Sequence, residues 1–81
     1  MTREEVLGLV REHLAEELEV EQGQIGEDTR FKEDLDADSL DLYELVMELE
    51  DRYGISVSEE QAAQIETVGD AVSFVLEHAP A

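Results

Sequence analysis

Cysteine is absent from this sequence. Without it there is no disulfide framework, no thiolate zinc site and no thiol chemistry supplied by the chain itself. Basic residues are nearly as scarce. Five Lys and Arg stand against 23 Asp and Glu, for a formal net charge of −18. Phosphate backbones and anionic lipid surfaces repel such a chain, so neither nucleic acid nor membrane insertion is expected, while basic protein surfaces attract it. No apolar run approaches the roughly 20 residues that span a bilayer. The opening MTREEVLGLVREHLAEEL has acids where a signal peptide has an apolar core. A reducing, cytoplasmic setting fits all of this. Catalytic equipment is also sparse. The only histidines are His13 and His78, and there is neither a Gly-rich phosphate loop nor a His-Glu-x-x-His motif.

What the sequence does have is helical order. Its 81 residues, 42% of them hydrophobic, suffice for one domain over 1–81 with a modest core. Thr2 and Glu5 form a capping box before a stripe of Val6, Val10, Leu14 and Leu18, with Leu7 beside it, that fades near Glu19. From Glu21 to Asp38 no period persists, and Ile25, Phe31 and Leu35 are expected to pin this long loop to the core. A second helix is expected from Asp38 or Ser39 to Tyr53, with Gly54 as its stop. It should bury Leu42, Leu45, Val46 and Leu49. Ile55, Ser56 and Val57 read as an extended link. Ser58 and Gln61 cap a short third helix to about Ile65. Thr67 and Asp70 cap the last, with Ala71, Val72, Val75 and Leu76 on its apolar face and Pro80 beyond its end. The fold class is therefore all-α: a small four-helix bundle with a long loop between helices 1 and 2 and a short third helix.

The stretch DLDADSLDL, Asp34 to Leu42, sets four carboxylates around one serine. As a calcium loop it supplies Asp34, Asp36 and Asp38 at positions 1, 3 and 5. It then fails at position 6, where Ser39 replaces glycine, and at position 12, where Leu45 replaces the bidentate glutamate. Beginning at Asp36 puts Leu40 at position 5, so no specific metal site is expected. As a helix start, Asp38 suits the cap and Asp41 suits the dipole of the first turn. As a nucleophile Ser39 has no base: neither histidine looks arranged with it, and carboxylates are weak bases for a hydroxyl. The chain does not read as an enzyme. A helix N-terminus is nonetheless a favourable place to hold a phosphate-linked group.

Leu35-Asp36-Ala37-Asp38-Ser39-Leu40-Asp41, followed by Glu44-Leu45-Val46-Met47-Glu48-Leu49-Glu50-Asp51, resembles the acyl carrier proteins of dissociated (type II) fatty acid synthesis. The likeness extends to Phe31-Lys32-Glu33-Asp34 upstream, and downstream to Tyr53-Gly54-Ile55 and Thr67-Val68-Gly69-Asp70-Ala71-Val72. The resemblance implies that Ser39 takes 4′-phosphopantetheine in phosphodiester linkage, moved from coenzyme A by a phosphopantetheinyl transferase using a divalent ion. The arm's thiol would then bear growing acyl chains as thioesters, an imported sulfur in a chain that has no cysteine. It also implies fatty acid synthesis enzymes with basic docking patches as partners. On the second helix Asp41, Glu44, Glu48 and Asp51 form one acidic stripe and Leu40, Tyr43 and Met47 an adjacent apolar one. With Asp38 these make the expected partner face, next to Ser39. Leu45, Val46, Leu49 and Ile65 are the expected lining of an acyl cavity, and a monomer is expected.

Two positions depart from the resemblance: Asp36 stands where many relatives have Gly, and Tyr43 where a smaller aliphatic residue is common. They leave room for a carrier of a polyketide or other specialised acyl pathway. A rival of another class is a non-covalent acidic adaptor or calcium-binding module, against which the failures at Ser39 and Leu45 count.

Overall fold

The computed structural model describes residues 2–79; Pro80 lies outside them. Helix α1 spans Arg3–Leu18. The Thr2 hydroxyl accepts from the Glu5 N–H at 3.2 Å, the forward half of the expected capping box. At the other end Glu19 closes the helix in the left-handed region (φ 56°), and its N–H donates to the Ala15 carbonyl. Val6, Val10 and Leu14 are fully buried, while Leu7 and Leu18 pack from the margin of the core.

The connection to α2 holds only a short 3-10 turn, Gln22–Gln24, yet it is firmly tied. Ile25 and Phe31 are buried and Leu35 is half-buried, so the three expected pins do face the core; Ala37 is buried as a fourth. Backbone bonds do the rest. Gly69 donates to the Glu27 carbonyl at 2.8 Å, Val68 to Thr29 at 2.9 Å and Phe31 to Glu66 at 3.0 Å. These set an isolated antiparallel bridge between Arg30 and Thr67, and no strand forms among the described residues. Arg11 Nε donates to the Ile25 carbonyl at 2.6 Å, and Arg3 Nε to Glu27 Oε1 at 2.7 Å. Gly69 is required where it stands, because a Cβ there would come within 2.9 Å of the Glu27 carbonyl oxygen.

Helix α2 spans Ser39–Tyr53. Its cap is Asp38, and Gly54 ends it at φ 66°, as the sequence implied. Leu45, Val46 and Leu49 are buried, but Leu42 is only half-buried. Leu42 differs from its expected core position because one flank opens onto a cavity rather than onto another helix. The link through Ile55 and Val57 has no regular secondary structure and is held by Glu50 Oε2, which accepts from the Val57 N–H at 3.0 Å. Helix α3 is brief, Glu59–Ala63, with both halves of the Ser58–Gln61 capping box formed. It stops two residues before the expected end because its last turn tightens: Gln64 donates to Gln61 and Ile65 to Ala62, each at 3.1 Å. Helix α4, Val68–His78, starts at the Thr67–Asp70 box. Its buried face is Val68, Ala71, Val72 and Val75, with Leu76 at the margin.

The fold is thus an all-α arrangement of four helices with a long first connection. α1 packs chiefly on α4 and less on α2. Leu45, Leu49, Ile55 and Ile65 close the core from the α2–α3 side. No described helix is long and apolar enough to cross a membrane.

Candidate functional site

Ser39 is the first residue of α2, and its side chain is exposed. The start of this helix is held by a reciprocal pair: the Asp41 N–H donates to Asp38 Oδ1 at 2.9 Å, and the Asp38 N–H donates to Asp41 Oδ2 at 3.2 Å. The sequence pointed to the first bond and missed the second. The pair fixes where the Ser39 hydroxyl projects. It uses the Asp41 N–H and leaves those of Ser39 and Leu40, in the unpaired first turn, for an attached anion.

Beside Ser39 lies a cavity of about 350 Å³. Phe31, Ala37, Ala62 and Ile65 are its buried apolar lining, and Leu42 and Tyr43 wall it from α2. Ala63, Glu59 and Glu66 line it from α3 and the turn after it, and Arg30, Lys32 and Glu33 from the long connection. The opening exists because α3 is short and presents alanines to it. Of the four residues expected around an acyl cavity, Ile65 lines this one. Leu45 and Leu49 lie in the closed core, and Val46 is buried away from the cavity. An exposed hydroxyl, free first-turn N–H groups and an adjoining apolar hollow fit a phosphodiester-linked arm in size and chemistry.

The expected partner face divides in two. Leu40, Tyr43 and Met47 stand out from α2 at 67%, 45% and 57% exposure, the exposed large apolar side chains among the described residues. The acidic row is turned partly toward α1. Asp41 and Glu44 are half-buried, and their carboxylate oxygens lie within 4.8 Å of one another and of Glu17. A proton shared in hydrogen bonding with Glu44, then desolvation and the charges of Glu44 and Asp41, push the Glu17 carboxyl up to about 7. Glu48 pairs with Arg52 at 3.6 Å, and Asp51 is exposed. Glu17 was not legible as part of the site, since no spacing within one helix reports which acids meet across two.

Neither histidine reaches Ser39. His78 Nδ1 donates to the Phe74 carbonyl at 2.9 Å, and the two rings stack with centroids 4.0 Å apart. The bond fixes the proton on Nδ1, because a carbonyl only accepts. His13 lines a separate groove between α1 and α2, its Nε2 shut away from solvent without a partner.

Comparison with known proteins shows the family. A family model described as "Phosphopantetheine attachment site" matches residues 8–75. The acyl carrier protein of Exiguobacterium sibiricum is 49% identical over 75 residues, 93% of this chain and 95% of that one. That of Rubrobacter xylanophilus is 46% identical over 78 residues, 96% of each chain. That of Lactobacillus acidophilus is 42% identical over 78 residues, 96% of this chain and 98% of that one. The solved structure of the acyl carrier protein from Enterococcus faecalis superposes with a TM-score of 0.83 at 42% identity, covering 98% of this chain and 100% of that one. The chain belongs to the acyl carrier protein family: it is a carrier of acyl chains on phosphopantetheine, not an enzyme.

Proposed function

We propose that Ser39 is the attachment point of 4′-phosphopantetheine and that the whole chain, 1–81, is one carrier domain serving fatty acid biosynthesis in the cytoplasm as a monomer. The observation that carries this reading is the position of Ser39: an exposed hydroxyl at the first residue of a doubly capped helix, on the rim of an apolar cavity. When bound, the group supplies a flexible arm with a terminal thiol that holds an acyl chain as a thioester. The chain's own residues orient and protect. Asp38 and Asp41 fix the start of α2, and the N–H groups of Ser39 and Leu40 in its first turn would help hold the phosphodiester. Phe31, Ala62 and Ile65 offer an apolar wall on which an acyl segment can shed water.

Enzymes with basic patches, a phosphopantetheinyl transferase among them, would read α2. Leu40, Tyr43 and Met47 provide the apolar contact, and Glu44, Glu48 and Asp51 the complementary charge. Desolvated apolar anchors supply most of the affinity of such a contact, while rim charges mainly raise the encounter rate. Met47→Ala is therefore expected to weaken docking at all salt concentrations, and Asp51→Asn to slow association only at low salt.

The test of the attachment is intact mass before and after incubation with coenzyme A, magnesium and a broad-specificity transferase. The expected result is a gain of one phosphopantetheinyl group on Ser39, and none in Ser39→Ala, whose melting temperature stays that of the parent. Modification persisting in Ser39→Ala overturns the assignment.

A further inference from the structure

Lys32 is the only lysine in a chain of net charge −18. Every arginine is engaged. Arg3 pairs with Glu27, Arg11 donates to the Ile25 carbonyl, Arg30 pairs with Glu33 and Asp34, and Arg52 pairs with Glu48. Among the described residues Lys32 alone of the five cations has neither a carboxylate nor a carbonyl partner. It is exposed, and it lines the same cavity as Ser39. The position of this free ammonium matters in so acidic a chain, because the two carboxylates that follow it in sequence, Glu33 and Asp34, are both taken by Arg30.

The surroundings make this cation matter. A phosphodiester on Ser39 adds a negative charge beside Asp38 and Asp41. The first-turn N–H groups offset part of that repulsion, but Asp41 and Asp38 use one of them. Lys32 lines the cavity from the long connection, as Ser39 lines it from α2, and is the one uncommitted positive charge among the lining residues. A compact ammonium with three donors on a flexible stem suits a phosphate oxygen.

Taking Ser39 as the point of attachment, we propose that Lys32 binds the phosphodiester of the arm and so tilts the arm over the cavity instead of letting it extend into solvent. Lys32 is a positioning residue: it sets how the arm divides its time between the cavity and the solvent where partner enzymes meet it. A basic patch on a partner competes for the same phosphodiester and releases the arm.

The test uses the full-length protein loaded enzymatically, as parent, Lys32→Gln and Lys32→Arg, with loading at Ser39 verified by intact mass. NMR reads the 31P resonance of the arm and its cross-peaks to Ala63 and Ile65. Cleavage of an octanoyl thioester by hydroxylamine reads shelter of the cargo. Lys32→Gln is expected to move the 31P resonance, at least halve the cross-peaks and speed cleavage several-fold. Lys32→Arg should keep the parent values, and high salt should bring the parent toward the Gln variant. The melting temperature of the unloaded protein should change little, because the side chain is exposed and has no ion pair or hydrogen bond to lose. Loaded Lys32→Gln with the parent's 31P position and cross-peaks overturns the clamp while leaving the attachment at Ser39 intact. Lys32→Arg behaving like Lys32→Gln also overturns it, since charge is then not the cause. A parent protein that fails to load at Ser39 overturns both readings.

Discussion

Asp36 illustrates what a single residue can reveal before and after the backbone is seen. It departs from the resemblance that the rest of the segment supports, and the structure places it at φ 54°, in the left-handed region that glycine enters freely. Aspartate tolerates this conformation better than most residues, at a cost on the order of 1 kcal/mol. Asp36→Gly is expected to raise stability slightly, by about 0.5 kcal/mol, since relief of the backbone outweighs the extra freedom of the unfolded chain. Urea denaturation would check it, and a loss of stability would mean that the Asp36 side chain holds the turn. Gly54 is the converse case. It sits at φ 66° with open space around it, so Gly54→Ala is expected to destabilise by about 1 kcal/mol through the backbone alone. The role of Gly54 was readable because a glycine after an apolar period has one common meaning. The strain at Asp36 was not, because aspartate in a loop is compatible with many conformations.

At the scale of elements, the four helix starts were legible and the meetings between helices were not. Thr2, Asp38, Ser58 and Thr67 each cap a helix at or within one residue of the expected start, because a short polar side chain followed three residues later by an acceptor is a local code. The pairing of residues 27–31 with 66–69 is made by backbone groups and leaves no side-chain signature. The end of α1 combines a left-handed Glu19 with no basic residue in its last turn. Glu19→Gly is therefore expected to stabilise by about 1 kcal/mol, removing both the backbone cost and a charge unfavourable to the dipole. Nearby, Glu17 meets Asp41 and Glu44 of α2. Its carboxyl is raised from an ordinary 4.5 to about 7, so the folded state holds this proton more tightly than the unfolded chain. That contribution is fully present below pH 4.5 and is lost as pH rises through about 7. Glu17→Gln should raise the melting temperature at pH 8 and change it little at pH 5. Equal shifts at the two pH values would show that Glu17 is not the group responsible.

For the whole molecule, charge dominates. Twenty-three acids on 81 residues repel one another through the solvent, an effect screened over about 8 Å at physiological ionic strength. Salt, and more strongly divalent ions, should raise the melting temperature; insensitivity to both would mean that this repulsion is negligible. The fold class, the long connection and the exposed row of α2 could all be read from spacing and composition. The cavity beside Ser39 could not, because it is defined by what Ala62 and Ala63 of a five-residue helix fail to fill. Leu42 was misread for the same reason: its spacing matches that of Leu45 and Leu49, and only the gap across from it keeps it half open.

The uneven attachment of α3 has a mechanical consequence. α1, α2 and α4 are packed together, and backbone bonds rivet the long connection to the start of α4, whereas α3 is strung between an irregular link and a tightened turn. The molecule is therefore stiff on three sides and compliant on one. On the proposed attachment at Ser39, a cargo that enters the cavity is expected to displace α3 before it displaces α2. A cargo can thus lengthen while the face presented to successive partners keeps one shape.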